Sequence, residues 1–156
     1  MPDFTIRLAI PDDADALTRV VVTAGWFEYF QETPFEEAAA GVLRRLSMCV
    51  ENDAHTMFVA TDKAGAAIGF ASLHWTPCLI FPDLEGYLSE LFVSAEFSGR
   101  GVGSALLERA VEEGRARGCY RMMLLNGRTR DSYLRDFYRK HGWTERADIA
   151  NFVYML

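Results

Sequence analysis

Only three of the 156 residues are cysteine: Cys49, Cys78 and Cys119. They are odd in number, lie far apart and form no CxxC pair. Neither a disulfide framework nor a zinc knuckle is supported, and a reducing cytoplasm is the expected location. The 5 prolines and 12 glycines are too few for a collagen-like or low-complexity chain. No run of 18 apolar residues occurs, so no membrane span is expected. The start, Met1-Pro2-Asp3-Phe4-Thr5-Ile6-Arg7, lacks a basic region followed by an apolar core, so no secretory leader is expected. The formal net charge of −6 argues against a generic nucleic-acid binder.

What is present suits a folded chain. Half the residues are hydrophobic and 24% are charged, which excludes disorder. At roughly 100–200 residues per domain, residues 1–156 read as one domain. Such a chain buries most of its apolar surface without staples. The charge is uneven: residues 1–97 hold 5 basic and 15 acidic side chains, residues 98–156 hold 11 basic and 7 acidic. The second part suits an anionic ligand, and the first suits a cationic one.

Periodicity sets the expected elements. Strands are expected at about 4–9, 57–61, 67–75, 86–94, 120–125 and 151–155. A helix opens at Pro11-Asp12-Asp13 with Asp12 or Asp13 as cap, and Ala14, Leu17, Val20, Val21 and Ala24 recur along it at helical spacing. Thr33-Pro34-Phe35-Glu36 reads as a capping box for a helix over about 34–48. Asp62-Lys63-Ala64-Gly65 suits a hairpin turn. Further helices are expected at 102–117, ended by Gly118, and at 131–141, capped by Asp131 and ended by Gly142. The order β-α-α-β-β-β-α-β-α-β implies an α/β or α+β mixed sheet with helices on both faces.

The most informative segment is Leu91-Phe92-Val93-Ser94-Ala95-Glu96-Phe97-Ser98-Gly99-Arg100-Gly101-Val102-Gly103-Ser104. A strand enters a glycine-rich turn that opens a helix. Glycine permits positive φ and close backbone approach. The first helical turn leaves N–H donors unpaired at the positive end of the dipole. Together these make an anion site suited to phosphate. Walker A requires a lysine that is missing here. The dinucleotide fingerprint would need a third glycine where Ser104 stands.

Ser98-Gly99-Arg100-Gly101-Val102-Gly103 resembles the pyrophosphate loop of the GCN5-related N-acetyltransferase (GNAT) family, (Gln/Arg)-x-x-Gly-x-(Gly/Ala). It departs at the first position, where Ser98 stands. Phe137-Tyr138-Arg139-Lys140-His141-Gly142-Trp143 is similar to that family's FYxxxGF signature. Asp131 falls where the family often has a helix-capping Asn. The element order matches over nearly the whole chain.

This resemblance implies the GNAT fold, with a mostly antiparallel central sheet. It also implies acetyl transfer from acetyl-CoA to a primary amine in a ternary complex, with no metal. Coenzyme A is anionic and fits the basic second part. The backbone of Leu91, Phe92 and Val93, splayed by a bulge, would hold the thioester and pantetheine. Ser98, Gly99, Arg100, Gly101, Val102, Gly103 and Ser104 would hold the pyrophosphate. Asn126, Asp131 and Tyr138 complete the expected cofactor set, although Asn126 could equally cap a turn. One of Arg128, Arg130, Arg139 and Lys140 would meet the 3′-phosphate.

Glu90 is the candidate base. Alternation sets Leu88, Glu90 and Phe92 on one face, where a carboxylate is partly desolvated if that face is covered. Tyr138 is the candidate acid for the departing thiolate. Trp26, Tyr29, Phe30, His74 and Tyr87 are candidate walls of the acceptor pocket. His74 is also a possible second base, and Cys119 shows no nucleophile signature. A small-molecule amine is the first expectation for the acceptor, and the acidic surplus favours a cationic one. A protein amine is the alternative. A non-catalytic acyl-CoA-binding module and an unrelated phosphate-binding domain that prefers ATP are the rivals. No nucleic-acid or membrane partner is expected. The family commonly dimerises, and the apolar segment 152–156 suits an interface.

Overall fold

The computed structural model describes residues 3–156. Met1 and Pro2, at which the leader reading begins, lie outside the described residues. Two compact units divide the chain after Leu124.

The first unit is built on a five-stranded sheet. Its strands are β1 (Phe4–Leu8), β2 (His55–Asp62), β3 (Ala67–Thr76), β4 (Glu85–Val93) and β5 (Arg121–Leu124). They lie in chain order across the sheet. β1 to β4 pair antiparallel, and β5 pairs parallel to β4. The sheet is therefore mixed and mostly antiparallel. The helices are α1 (Ala14–Ala24), α2 (Glu28–Glu32), α3 (Phe35–Val50) and α4 (Val102–Ala116). No helix among the described residues is long and apolar enough to cross a membrane.

Period-two alternation along β2 sends neighbouring side chains to opposite faces. Val59 joins Phe70 of β3 against Leu17, Val20 and Val21 of α1 and Leu46 of α3. Phe58 points the other way and lies under Arg109 of α4, 4.5 Å from the guanidinium. On α4 the i, i+4 series Val102, Leu106, Ala110 and Gly114 is buried. Gly114 matters sterically: a Cβ there would stand 2.5 Å from Met122 Sδ of β5. Helices thus cover both faces.

Turn chemistry follows the sequence where glycine or aspartate sets it. Asp62 Oδ1 accepts the Ala64 and Ala66 amides, and Gly65 takes φ +83° at the β2–β3 hairpin. Gly25 and Gly118 end α1 and α4 with positive φ. Asp13 holds the N-cap of α1 but makes no bond to the helix amides. Its carboxylate turns back to take two hydrogen bonds from Arg7 (2.8 and 2.7 Å) and one from the Ile10 amide (2.9 Å).

Five expectations need correction. The Thr33 capping box does not form. Pro34 has extended ψ and takes the N-cap itself, which leaves Thr33 one residue too far back. The alternation assigned to β4 breaks at Ser89. Ser72 faces Glu90, but Leu73 faces Leu88, so Ser89 is an extra residue in β4. A bulge reverses the phase of side chains. Leu88 therefore shares the α4 face, while Tyr87, Glu90 and Phe92 share the α1 and α3 face.

The other three corrections concern the second unit, residues 125–156. The helix expected over 131–141 is two single turns, α5 (Asp131–Leu134) and α6 (Phe137–Lys140). Asp136 separates them at φ +56°, a left-handed conformation that aspartate tolerates better than most residues. Arg130, not Asp131, is the N-cap of α5. The strand expected at 151–155 is absent: the segment has no regular structure, and Phe152 to Leu156 are exposed. An apolar run supplies strand propensity, but only a paired edge makes a strand.

Candidate active site

The glycine turn follows β4. A 3-10 turn at Ala95–Phe97 leads into Ser98-Gly99-Arg100-Gly101, and α4 begins at Val102. Gly99 and Gly101 take φ of +76° and +83°, with open space where a Cβ would stand. Only glycine holds both without strain. The first hydrogen bond of α4 runs from the Ala105 amide to Gly101 O at 3.0 Å. The amides of Val102, Gly103 and Ser104 therefore have no acceptor in the preceding turn of helix. No acidic residue occupies this first turn to neutralise the dipole. Ser98, Gly99, Arg100 and Gly101 are all exposed.

β4 presents a second feature. β5 pairs only with Glu85–Leu88. From Ser89 to Val93 the β5-facing edge of β4 has no strand partner among the described residues. The bulge marks the point where that pairing stops. Ser89 is fixed there by its hydroxyl, which lies 2.8 Å from His74 Nε2 and donates to Ser72 O at 3.3 Å. Leu91 and Val93 thus offer backbone groups on an open edge beside the glycine turn, whereas the Phe92 carbonyl faces Gly69 of β3.

Glu90 points to the α3 side of this edge. It is open to solvent, yet protein surrounds its carboxyl on most sides. Desolvation raises its pKa above the ordinary carboxylate value, against the lowering effects of a hydrogen bond from Ser72 and the charge of Arg45. Cys49 lies close enough to Glu90 for the carboxylate charge to join burial in raising its thiol. A sequence stripe on α3, Gly41-Arg45-Cys49 at i, i+4 spacing, was the available signal for these neighbours. Ser72 and Ser89 carried none, since their importance comes from the bulge.

Aromatic side chains crowd the same face. Phe92 stacks on Phe70 at 5.6 Å and meets Trp26 and Phe27 at 5.8 and 5.7 Å. Tyr29 packs edge-on against Phe30 at 5.1 Å. Phe30 packs into the core, whereas Trp26 and Tyr29 are half exposed. His74 lies between the rings of His55 (4.5 Å) and Tyr87 (5.9 Å). Burial and the neighbouring His55 lower its pKa. Its Nε2 is already engaged with Ser89, which suits a positioning role better than a free base.

The second unit holds the other candidates. Tyr138 packs against Phe137 and Trp143, at 5.0 and 6.3 Å. Burial raises its phenol, with Arg135 opposing. Asn126 Oδ1 accepts the Ser132 hydroxyl at 3.0 Å, so it does tie a turn. Asp131 is exposed at the start of α5. Arg128 and Arg139 both pair with Glu145, and Arg139 also with Asp136. Lys140 forms no ion pair among the described residues. Burial and Asp83 raise the Cys119 thiol, which makes it a poor nucleophile. No group of three or more metal-ligating side chains occurs among the described residues.

A glycine turn at a helix start beside an unpaired strand edge suits a ligand that carries a diphosphate. The comparisons agree. The acetyltransferase (GNAT) family model matches residues 23–143, so the chain belongs to the GNAT family, whose members use acetyl-CoA as co-substrate. An uncharacterised N-acetyltransferase of Methanocaldococcus jannaschii is 25% identical over 98% of this chain. The chain spans 66% of that relative's length. Among solved structures, a protein described as a transcriptional regulator from Bacillus halodurans C-125 superposes with a TM-score of 0.83 at 21% identity. That match covers 98% of this chain and 99% of the other. An aminoglycoside acetyltransferase from an uncultured soil metagenomic sample gives 0.78 at 18% identity, covering 99% and 97%. At these identities the structures show the shared fold alone.

Proposed function

We propose that this chain transfers an acetyl group from acetyl-CoA to the primary amine of a small molecule, by direct attack in a ternary complex. The observation that carries this reading is the glycine turn. Gly99 and Gly101 hold positive φ over open space, and the free amides of α4 follow at once. Such a cradle binds a diphosphate through backbone N–H groups. Family membership supports coenzyme A as the molecule that carries it.

The open edge of β4 receives the thioester and pantetheine through the backbone of Leu91 and Val93; the Phe92 backbone, expected to share in this, faces β3 instead. Glu90 accepts the proton released by the attacking amine, directly or through one water. Its raised pKa makes it a stronger base than an ordinary carboxylate. Tyr138 donates a proton to the departing thiolate. Its raised phenol stays protonated until that step. Trp26 and Tyr29 wall the acceptor side. Of the four candidates for the 3′-phosphate, Arg128 and Arg139 are already paired with acids, which leaves Arg130 and Lys140.

A thiol-release assay with acetyl-CoA and a panel of amines tests the reading. Amine-dependent release is expected. Saturable acetyl-CoA binding with no turnover over the whole panel would favour the acyl-CoA-binding module instead.

A further inference from the structure

Arg45 is an exposed arginine of α3 with no acid one helical turn away. On α3 an acid four residues before it would pair with it, but that position is Gly41 and the residue four after is Cys49. Arg45 forms no hydrogen bond or ion pair among the described residues. Four acids, Glu28, Glu32, Glu36 and Glu37, lie within the preceding 17 residues, and none pairs with it.

Gly41 shows what the arrangement leaves room for. It is buried in the middle of α3, where glycine weakens a helix. A Cβ there would stand 3.2 and 3.5 Å from the two terminal nitrogens of Arg45 and 3.5 Å from the Tyr29 hydroxyl. The missing methyl lets a guanidinium fork and a phenol converge over one point of the helix. Both groups donate hydrogen bonds, and no acceptor among the described residues takes those of Arg45. A fork with a third donor beside it matches the oxygens of a carboxylate or a phosphate.

Glu90 supplies the opposite charge nearby. It lies beyond ion-pair contact with Arg45 but within reach of its field. A negative and a positive group therefore lie near each other on the α3 side of the sheet, with Tyr29 beside the positive one. We infer that the acceptor amine carries an anionic group, a carboxylate or a phosphate, which Arg45 and Tyr29 hold over Gly41 while Glu90 faces the amine. This inference rests on the acetyltransferase reading given above. It revises the expectation of a cationic acceptor, because a polycation would meet Arg45 in the same space.

Matched amines test it. β-Alanine is compared with propylamine, and O-phosphoethanolamine with ethanolamine, by kcat/KM in the thiol-release assay; spermidine is the polycation control. The member bearing the anionic group in at least one pair is expected to be preferred, and the pair that responds identifies the anion. Arg45→Met is expected to lower the ratio of anion-bearing to plain amine by about tenfold or more, with Arg45→Lys between the two. Preference for the plain amines or spermidine overturns the inference. So does an Arg45→Met effect equal on both members of each pair. Should no amine be acetylated although acetyl-CoA binds, the acetyltransferase reading fails by itself. Calorimetry with N-acetyl-β-alanine and N-acetyl-O-phosphoethanolamine then decides the anion site. Weaker binding to Arg45→Met supports it, and equal or absent binding to both proteins overturns it.

Discussion

Residues 9–110 supply every buried apolar side chain among the described residues, and residues 125–156 supply none. The first unit is ordered by exclusion of water. The second is ordered by polar bonds: Glu145 receives Arg128, Arg139 and Tyr133, and Asp136 receives Arg139. The candidate base lies in the first region and the candidate acid in the second. The contrast teaches that the two units rest on two kinds of order, which differ in sensitivity to salt and pH.

The largest effect should come from the core. Leu106 of α4 is fully buried. Leu106→Ala should destabilise by about 3–5 kcal/mol, read by urea unfolding, whereas Tyr154→Ala in the exposed C-terminal segment should leave the midpoint unchanged. Equal effects would erase the contrast.

Next in size is Glu90→Gln, which should lower kcat/KM by about a hundredfold. The base works only when deprotonated, so wild-type activity should rise as pH climbs through the raised Glu90 pKa. That limb should vanish in the variant. An unchanged profile would remove Glu90 from the role.

Asp13→Ala should cost about 2 kcal/mol, since it deletes two charge-assisted bonds to Arg7 and one to Ile10. Burial pushes the Asp13 carboxyl up, but the Arg7 and Ile10 bonds and the Arg7 charge outweigh it and leave the pKa lowered. A lowered folded pKa means stability present above the unfolded value and lost as pH falls through the folded one. Thermal melts should therefore show wild type approaching the variant as pH falls below about 4.

Tyr138→Phe should slow kcat by about tenfold, with KM for acetyl-CoA little changed. The smallest effect is expected at Glu145→Gln. Global unfolding should not register it. Amide exchange in residues 125–145 should quicken, and high salt should produce the same change in wild type.

The first unit was legible because its cores repeat. Leu17, Val20 and Val21 marked α1, and Val102, Leu106 and Ala110 marked α4. The Asp62–Gly65 turn and the glycine turn were legible because each needs those residue types. The Ser89 bulge was not, since an inserted residue leaves composition unchanged and only shifts phase. Glu90 was chosen with the wrong neighbours for that reason: Tyr87 and Phe92 flank it, not Leu88. In the second unit, Asp136 broke a helix that periodicity had joined, because one left-handed residue leaves no pattern. Phe152–Leu156 reads as a strand only while pairing is ignored. Arg45 is exposed and at ordinary spacing, so the topology that faces it toward Glu90 was needed to notice it.

The central claim is that the Gly99–Gly103 turn, with the first amides of α4, holds the diphosphate of acetyl-CoA. Calorimetric titration of acetyl-CoA into wild type and Gly101→Val tests it most directly. Valine cannot hold φ +83° without strain. Saturable binding to wild type is expected, weakened by about a hundredfold or more in a variant that still melts cooperatively. Equal affinity in the two proteins, or no binding to wild type at about 1 mM, where even a weak site would register, would contradict the account.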